Sequence, residues 1–493
     1  MDNALQATNQ RGLYQLYVLI IVIFLPFTTF IISAGYPFLT LPPDLLCLPY
    51  QTSFSYYPCT LETYCSSPHT FVTKIDKATS LDNFANKFKL YCDRSFFSPL
   101  LNSFFFLGAM VGVFFISSYP DKKGRIPILK GLMVLNIIAQ LNFIIVRHVE
   151  HLLLISFITG VCSYCNSVLS LLICETMDKS MSAIVMSARS ASYGLVGISL
   201  GVFFLYVNNL SVLLWINLVI SIGMICIVRM KLVESPRWLN SKNRMKEAIE
   251  ALIQMAKVNG RDREFDLFLK DNQEIISPSN IKIEIINKTY TLKEILMLKS
   301  QRGRIVALVY AWFFIAICFF GIFTSLNKTT NNVFSHAIFT FTGEIIAEMA
   351  SGVLANFFGR INVMKYSSYI GGLFFIFSYF INEEQYDIIK SIFLFISSFG
   401  FAGTMNLLYI YTNEIFPISI KSSIFGFMFL VSSAGGVVVP LFTRSALYPI
   451  VLGVLSISCG VVIGGREETL GKLIEDDVPE SQRKYSPLST NVM

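Results

Sequence analysis

The sequence predicts an all-α membrane protein with twelve transmembrane helices arranged as two six-helix pseudo-repeats. Three observations carry this expectation. Of 493 residues, 54% are hydrophobic and only 14% are charged, where a soluble domain carries about 25% charged residues; the mean hydropathy is +0.59. Twelve apolar runs lie along the chain, each close to the ~20 residues that a helical span requires. A Gly-Arg step recurs at the same place in each set of six runs. A secreted disulfide scaffold, a disordered chain and a nucleic-acid binder are excluded. The formal charge of +7 sits in short loops between apolar runs, where membrane orientation accounts for it.

The first run, 16–37, is longer than the apolar core of a cleavable leader and no small-residue cleavage site closes it, so it is expected to remain as a helix. A long polar stretch, 38–97, follows. Runs 98–119, 126–146, 151–174, 183–207 and 211–231 complete the first set. The stretch 234–303 is rich in Lys, Arg, Glu and Asp. Within it Met245, Ile249, Leu252, Ile253 and Ala256 recur at helical spacing, which reads as short amphipathic helices against the membrane face. Runs 304–326, 333–357, 361–382, 388–413, 421–443 and 446–465 form the second set. The expected domains are therefore a bundle over 1–233 with the outer loop 38–97, a cytoplasmic linker over 234–303, a second bundle over 304–466 and a cytoplasmic tail over 467–493.

Orientation follows from the Lys and Arg of the short loops. With the N-terminus inside, the short inner loops hold nine (Lys122, Lys123, Arg125, Lys130, Lys179, Arg189, Arg360, Lys365 and Lys421) and the short outer loops four (Arg147, Lys328, Lys390 and Arg444). Both termini are then cytoplasmic. Cys47, Cys59, Cys65 and Cys92 all fall in the outer stretch, an oxidising space where disulfides persist; four cysteines allow three pairings, and all three stay open. Asn209 and Asn327 begin glycosylation sequons on the same side.

Asp121-Lys-Lys-Gly124-Arg125 follows the second run, and Asn356-Phe-Phe-Gly359-Arg360 follows the eighth. Internal repeats of this kind build many transporters. Carboxylates recur too: Glu175 ends the fourth run, with Arg189 early in the fifth; Glu414-Ile-Phe-Pro ends the tenth, with Lys421 opening the eleventh; Glu234 ends the sixth; Glu467 and Glu468 end the twelfth. These charges are expected to form a gate, Arg125 with Glu175 and Arg360 with Glu414, bridging the two halves. Glu344 and Glu348 lie inside the eighth run, four apart and on one helix face. Ionisable groups at membrane depth are costly and face a cavity or a partner. Trp312, Phe319, Phe320 and Phe30 are candidates for cation–π contacts in a central cavity.

This ordered set resembles the major facilitator superfamily and, within it, the organic cation, anion and zwitterion transporters, a clade akin to the sugar porters. The resemblance covers nearly the whole chain. It runs from Cys92-Asp93-Arg94-Ser95, Leu107-Gly108 and Gly112 through both Gly-Arg steps and Glu234-Ser-Pro-Arg-Trp-Leu. It continues with Trp312, Phe319-Phe320-Gly321, Glu344, and Glu414-Ile-Phe-Pro with Lys421, and closes with Gly435-Gly436, Pro440 and Glu468-Thr469. It implies twelve helices, a central cavity onto which Glu344 looks, and facilitated or exchange transport. Ser433 stands where cation carriers of the family tend to have Asp and anion carriers Arg. Phe319 and Phe320 replace a Tyr pair, Ser117 a Gly, and Ile126 and Ile361 a second Arg.

The expected function is transmembrane transport of small organic ions, cationic or zwitterionic, by alternating access as uniport, exchange or ion-coupled transport. The alternatives are a sugar transporter of the same superfamily and a non-transporting receptor or vesicle protein on a transporter fold. Expected partners are the solute, membrane lipid and a coupling proton or cation, with no nucleic acid. The expected location is the plasma membrane, with a vesicle or vacuole membrane as alternatives. The chain shows no phosphate loop, no Ser-His-Asp set and no zinc spacing, so neither an enzyme nor a cofactor or metal is expected. His148, Glu150 and His151 read as polar loop residues, and Tyr485-Ser-Pro-Leu488 fits a tyrosine-based sorting signal.

Overall fold

The computed structural model describes residues 2–9, 11–49, 56–66, 71–76, 79–117, 119–177, 179–271, 299–326, 333–416, 418–443 and 445–470. Asn327, the end of the linker and the Tyr485 signal lie outside the described residues. Among those described, nine helices are long and apolar enough to cross a membrane, and a bent pair makes a tenth. Two further helices, Arg360–Tyr379 and the shorter apolar Tyr448–Gly464, fall outside that test and pack on each other in the second half, consistent with the expected twelve. In order they are span 1 (Leu13–Thr29 and Ile31–Leu39), span 2 (Phe97–Ile116), span 3 (Arg125–Ile145), span 4 (Val149–Ser163 and Cys165–Thr176), span 5 (Lys179–Tyr206) and span 6 (Leu210–Lys231). The second half comprises span 7 (Lys299–Ser325), span 8 (Val333–Phe358), span 9 (Arg360–Tyr379), span 10 (Glu383–Ile415), span 11 (Ile418–Thr443) and span 12 (Tyr448–Gly464). Spans 7 and 10 begin earlier than their apolar runs because polar residues extend both helices, across a kink at Tyr386 in span 10.

Backbone polar groups have no water to bond in a membrane core, so each helix break needs substitutes. Span 1 carries Pro26 and bends by 50° at Phe30. The break leaves the Thr28 carbonyl without its helical donor, and Asn136 (3.2 Å) and Gln140 (2.9 Å) of span 3 donate to it instead. Asn166 of span 4 donates to the Thr29 hydroxyl at 2.9 Å. These buried amides of spans 3 and 4 therefore hold the kink.

Small residues allow close crossings between spans. Gly108 in span 2 packs against the Phe157 backbone of span 4, and Gly343 in span 8 against the Phe395 backbone of span 10; neither site has room for a Cβ. The same helix pair is thus in close contact in each half, as an internal repeat requires.

Beyond the first span a three-stranded antiparallel sheet forms, with β1 (Leu45–Pro49) between β2 (Tyr57–Cys59) and β3 (Phe71–Ile75). Of the three pairings that the sequence allows, the structure has Cys47–Cys59 and Cys65–Cys92. Asn83, fully buried, donates to the carbonyls of Phe38 and Leu41, and Asp82 accepts from Leu210 N–H at the start of span 6. The sheet region is thereby fixed to one end of the first half, the sheet end.

The opposite, linker end carries three helices: Pro236–Ser241, Met245–Val258 and Asp262–Asp271. The second buries Ala248, Ala251, Leu252, Met255 and Ala256. The expected stripe is only partly right: Leu252 and Ala256 are buried, whereas Ile253 is exposed. The reason is the surface being covered. Leu252, Met255 and Ala256 join the core of spans 1, 3 and 4, so packing on protein selects the face. Asn259 holds the N-terminal segment to this linker, donating to Thr8 and Asn9 carbonyls and accepting from Tyr14 N–H. The N-terminus and the linker therefore share one end of the molecule.

Candidate functional site

At the linker end the two Gly-Arg steps build matching clamps. Gly124 and Gly359 have φ of +100° and +89°, which favours glycine, and a Cβ at either would lie 2.5 or 2.6 Å from a glutamate oxygen. The first backbone N–H groups of a helix lack intrahelical acceptors. Glu234 accepts those of Arg125 (2.9 Å) and Ile126 (3.1 Å) at the start of span 3. Glu468 accepts those of Arg360 (2.9 Å) and Ile361 (3.0 Å) at the start of span 9. Glu468 also takes Thr469 and Leu470 N–H. Partial burial pushes its carboxyl up, but these backbone donors outweigh that and hold it below the usual carboxylate range. The stabilisation is present at neutral pH and is lost as acid protonates the carboxylate.

The arginines then reach the neighbouring spans. Arg125 bonds Glu175 at 2.6 Å, Asp121 at 3.0 Å and the Pro120 carbonyl at 3.0 Å, and lies 5.5 Å from the Trp238 ring centroid. Arg360 grips both oxygens of Glu414 at 3.0 to 3.3 Å, and the Thr469 hydroxyl donates to Glu414 at 2.6 Å. The expected partners do meet, but the expected bridge between halves is corrected: Arg125 and Glu175 both belong to the first half, and Arg360 and Glu414 both to the second. Each Gly-Arg loop joins adjacent spans, so its arginine reaches within its own bundle. Glu467 is also displaced from the expected role. It pairs with Arg304 of span 7 at 3.2 Å, while Glu468, one residue on, matches Glu234. Lys421 lies in span 11, outside the described side chains.

The halves meet along spans 5 and 8, spans 2 and 11, and the faces of spans 1 and 7. At the sheet end Phe38 stacks on Phe334, with ring centroids 5.7 Å apart. Ser103 of span 2 donates to the Val437 carbonyl of span 11 at 2.9 Å. Deeper in, Tyr193 of span 5 sits among Phe30 (5.4 Å), Phe323 (5.9 Å), Phe319 (6.0 Å) and Phe341 (6.4 Å), with its hydroxyl 3.1 Å from Ser33. Glu344 is beside this cluster and is only 1% exposed. One of its carboxyl oxygens would be 3.3 Å from a Cβ on Gly194 of span 5, and that oxygen has no hydrogen-bond partner. A buried acid thus faces Gly194 across the interface, next in sequence to Tyr193 of the aromatic cluster, a combination suited to an organic cation.

The other expected lining residues separate. Phe319 joins the Tyr193 cluster and Phe320 packs on Phe106 of span 2 at 4.3 Å, both at the interface. Trp312 is wholly buried inside the second half, donating to Thr412 and packing edge-on against Tyr409. Ser433 is buried and donates to the Phe429 carbonyl of its own helix, so it supplies no charge. Sequence reasoning missed Tyr193, Phe323 and Phe341. A signal was present: Arg189 and Tyr193 on span 5, and Glu344 and Glu348 on span 8, are each four apart. Asn209 is exposed and its side chain caps span 6.

Two bundles of six spans, clamped in the same way at one end and enclosing an ionisable group at their common interface, define a membrane transporter of two related halves. The family model of the Major Facilitator Superfamily matches residues 95–440, and the chain belongs to that family. Human organic cation/carnitine transporter 2 is 22% identical over 421 residues, covering 82% of this chain and 72% of that protein. Arabidopsis thaliana organic cation/carnitine transporter 4 is also 22% identical, covering 78% and 74%. Among solved structures, the E. coli xylose transporter in its inward-open conformation aligns with a TM-score of 0.62 at 11% identity, covering 94% of this chain and 98% of that one.

Proposed function

We propose that this transporter moves a small organic ion, cationic or zwitterionic, by alternating access between its two halves. The unpartnered carboxyl oxygen of Glu344, buried at the interface beside the Tyr193 cluster, carries the reading. The similarity to organic cation/carnitine transporters agrees with it. The clamps at Arg125 and Arg360 keep the linker end of each half rigid while the halves rock, and a proton or inorganic cation competing for Glu344 is the natural coupling partner. Tracer uptake into liposomes tests the proposal. A quaternary amine or a betaine should accumulate and a neutral sugar should not. Saturable uptake of the sugar alone would reject the organic-ion reading; binding without accumulation of any probe would favour a receptor.

The sheet end is assigned to the outside, with Asn209 and Asn327 as glycosylation candidates, and both termini and the linker to the cytoplasm of a plasma-membrane protein. The support is the nine-to-four basic asymmetry, the two disulfides in the sheet region and the docking of the N-terminus on the linker. Impermeant thiol reagents should label single cysteines placed in 245–271 only after permeabilisation. Labelling of those positions in intact cells would overturn the orientation.

A further inference from the structure

The last turn of span 1 carries a ring that touches both halves. Phe38 is fully buried, stacks on Phe334 of span 8 and lies 6.1 Å from the Phe204 ring of span 5. Its ring also fits against Gly201 of span 5, where a Cβ would come within 3.0 Å. The last carbonyls of a helix lack intrahelical donors, and here one side chain supplies them. Asn83 Nδ2 donates to the Phe38 carbonyl at 2.8 Å and to the Leu41 carbonyl at 2.9 Å. Asn83 Oδ1 accepts the Asn86 N–H at 3.0 Å and so caps the short helix Phe84–Phe88. The segment around Asn83 is itself fastened to the first half. Asp82 N–H donates to Asn208 Oδ1 at 2.8 Å, Asn208 Nδ2 donates to the Ser80 carbonyl at 3.0 Å, and Asp82 accepts from Leu210 N–H at 3.0 Å. Phe84 stacks on Phe143 of span 3 with ring centroids 5.9 Å apart. Residues 80–88 thus form a clip that holds the end of span 1 to span 3 and to the turn between spans 5 and 6.

Alternating access requires the halves to part at each end in turn, so the Phe38–Phe334 stack must break and re-form in every cycle. These anchors of the clip all belong to the first half, so the clip stays intact when the halves part. A helix end whose carbonyls are not held frays, and each residue released must be ordered again before the ring meets Phe334. Ordering one residue corresponds to about a tenfold change in an equilibrium constant. We propose that Asn83 is a positioning residue for closure of the sheet end: it holds Phe38 in place on the first half, so that Phe334 meets an ordered partner. A carboxamide suits both tasks. Aspartate and serine can cap the helix at 84–88, but aspartate presents no N–H and serine a single O–H, so neither can hold both carbonyls of span 1. The proposal rests on the alternating-access reading and concerns how the sheet end closes, not which solute binds.

Ser33 lies about 7.5 Å deeper along span 1 than Phe38, at 1.5 Å per residue, and its hydroxyl meets Tyr193 at 3.1 Å. A cysteine placed there reports opening of the sheet end. The test is the rate at which an impermeant maleimide labels Ser33→Cys in the full chain on intact cells, to whose outside the sheet end is assigned, with thermal melting of each purified variant as the check on folding. Asn83→Ser and Asn83→Asp should each raise the labelling rate about five- to tenfold. Phe334→Ala should raise it by itself, and in that background Asn83→Ser should add less than about twofold, because the ring that Phe38 is held for is gone. A general loosening of the fold would instead act in full in both backgrounds. A folded Asn83→Ser labelled at the parent rate, or the full rise on top of Phe334→Ala, would overturn the inference. If the Asn83 variants do not fold, Asn208→Gly removes the second anchor and keeps the turn, because Asn208 has φ of +40°, which glycine adopts readily. That variant should raise labelling about threefold, and a folded Asn208→Gly at the parent rate would also overturn the inference. A Ser33→Cys parent that reacts in neither intact nor permeabilised cells defeats the alternating-access reading itself, a result distinct from the other failures.

Discussion

Glu344→Gln is expected to weaken binding of a cationic substrate by about 5- to 150-fold. Glutamine keeps nearly the same shape, so the change isolates the charge. The carboxyl is almost wholly buried, faces Gly194 across the interface and has an oxygen with no partner. A desolvated ion pair can contribute several kcal/mol, and water entering with the substrate reduces that to ~1–3 kcal/mol, which converts to the stated range at about 1.4 kcal/mol per tenfold. Protons compete with a cation for a carboxylate, so wild-type binding should weaken as pH falls while the Gln variant should lose that dependence. Binding and its pH profile, measured on purified variants, check both outcomes. A folded Glu344→Gln that binds with unchanged affinity and pH profile would make Glu344 a structural residue.

Arg125→Ala should give the larger stability loss of the two clamps. The side chain is buried, and its removal deletes the bonds to Glu175, Asp121 and the Pro120 carbonyl together with the Trp238 contact. It also leaves Glu175, whose second oxygen is already without a partner, as an unpaired and mostly buried acid. Breaking such a pair costs about 2–4 kcal/mol. Arg360→Ala should cost less, because Glu414 keeps the Thr469 hydroxyl and Arg360 starts more exposed. Thermal melting in detergent should therefore rank wild type above Arg360→Ala above Arg125→Ala. Melting of Arg125→Ala at the wild-type temperature would remove the clamp. Since both pairs lie within a half, transport in each variant should fall through turnover more than through affinity for substrate.

The long helices of both halves were legible to within a few residues because a membrane imposes a length and an apolarity that the chain must meet locally. The clamps were half legible. Gly124-Arg125 and Gly359-Arg360 recur by type and spacing, and their partners Glu175 and Glu414 sit at helix ends where only a few acids compete. The choice of Glu468 over Glu467 was not, because two adjacent acids point to different sides of the chain and only one meets the open N–H groups of span 9.

Apolar run length, the two Gly-Arg steps and the distribution of basic residues and cysteines determine the class of protein and its expected orientation, because each acts within one loop or one helix. Which residues face each other across the halves is different in kind. Trp312 and Tyr193 are both aromatic residues in apolar helices, yet one packs inside a bundle and the other between bundles. Arg189 looks like an inner-loop charge in the chain, yet it lies on span 5, the helix that packs against span 8 of the other half. The rotation and register of spans 5 and 8 set both outcomes, and that register comes from glycines and ring packing shared by two helices about 150 residues apart. No segment of either helix contains that information until the two halves are assembled.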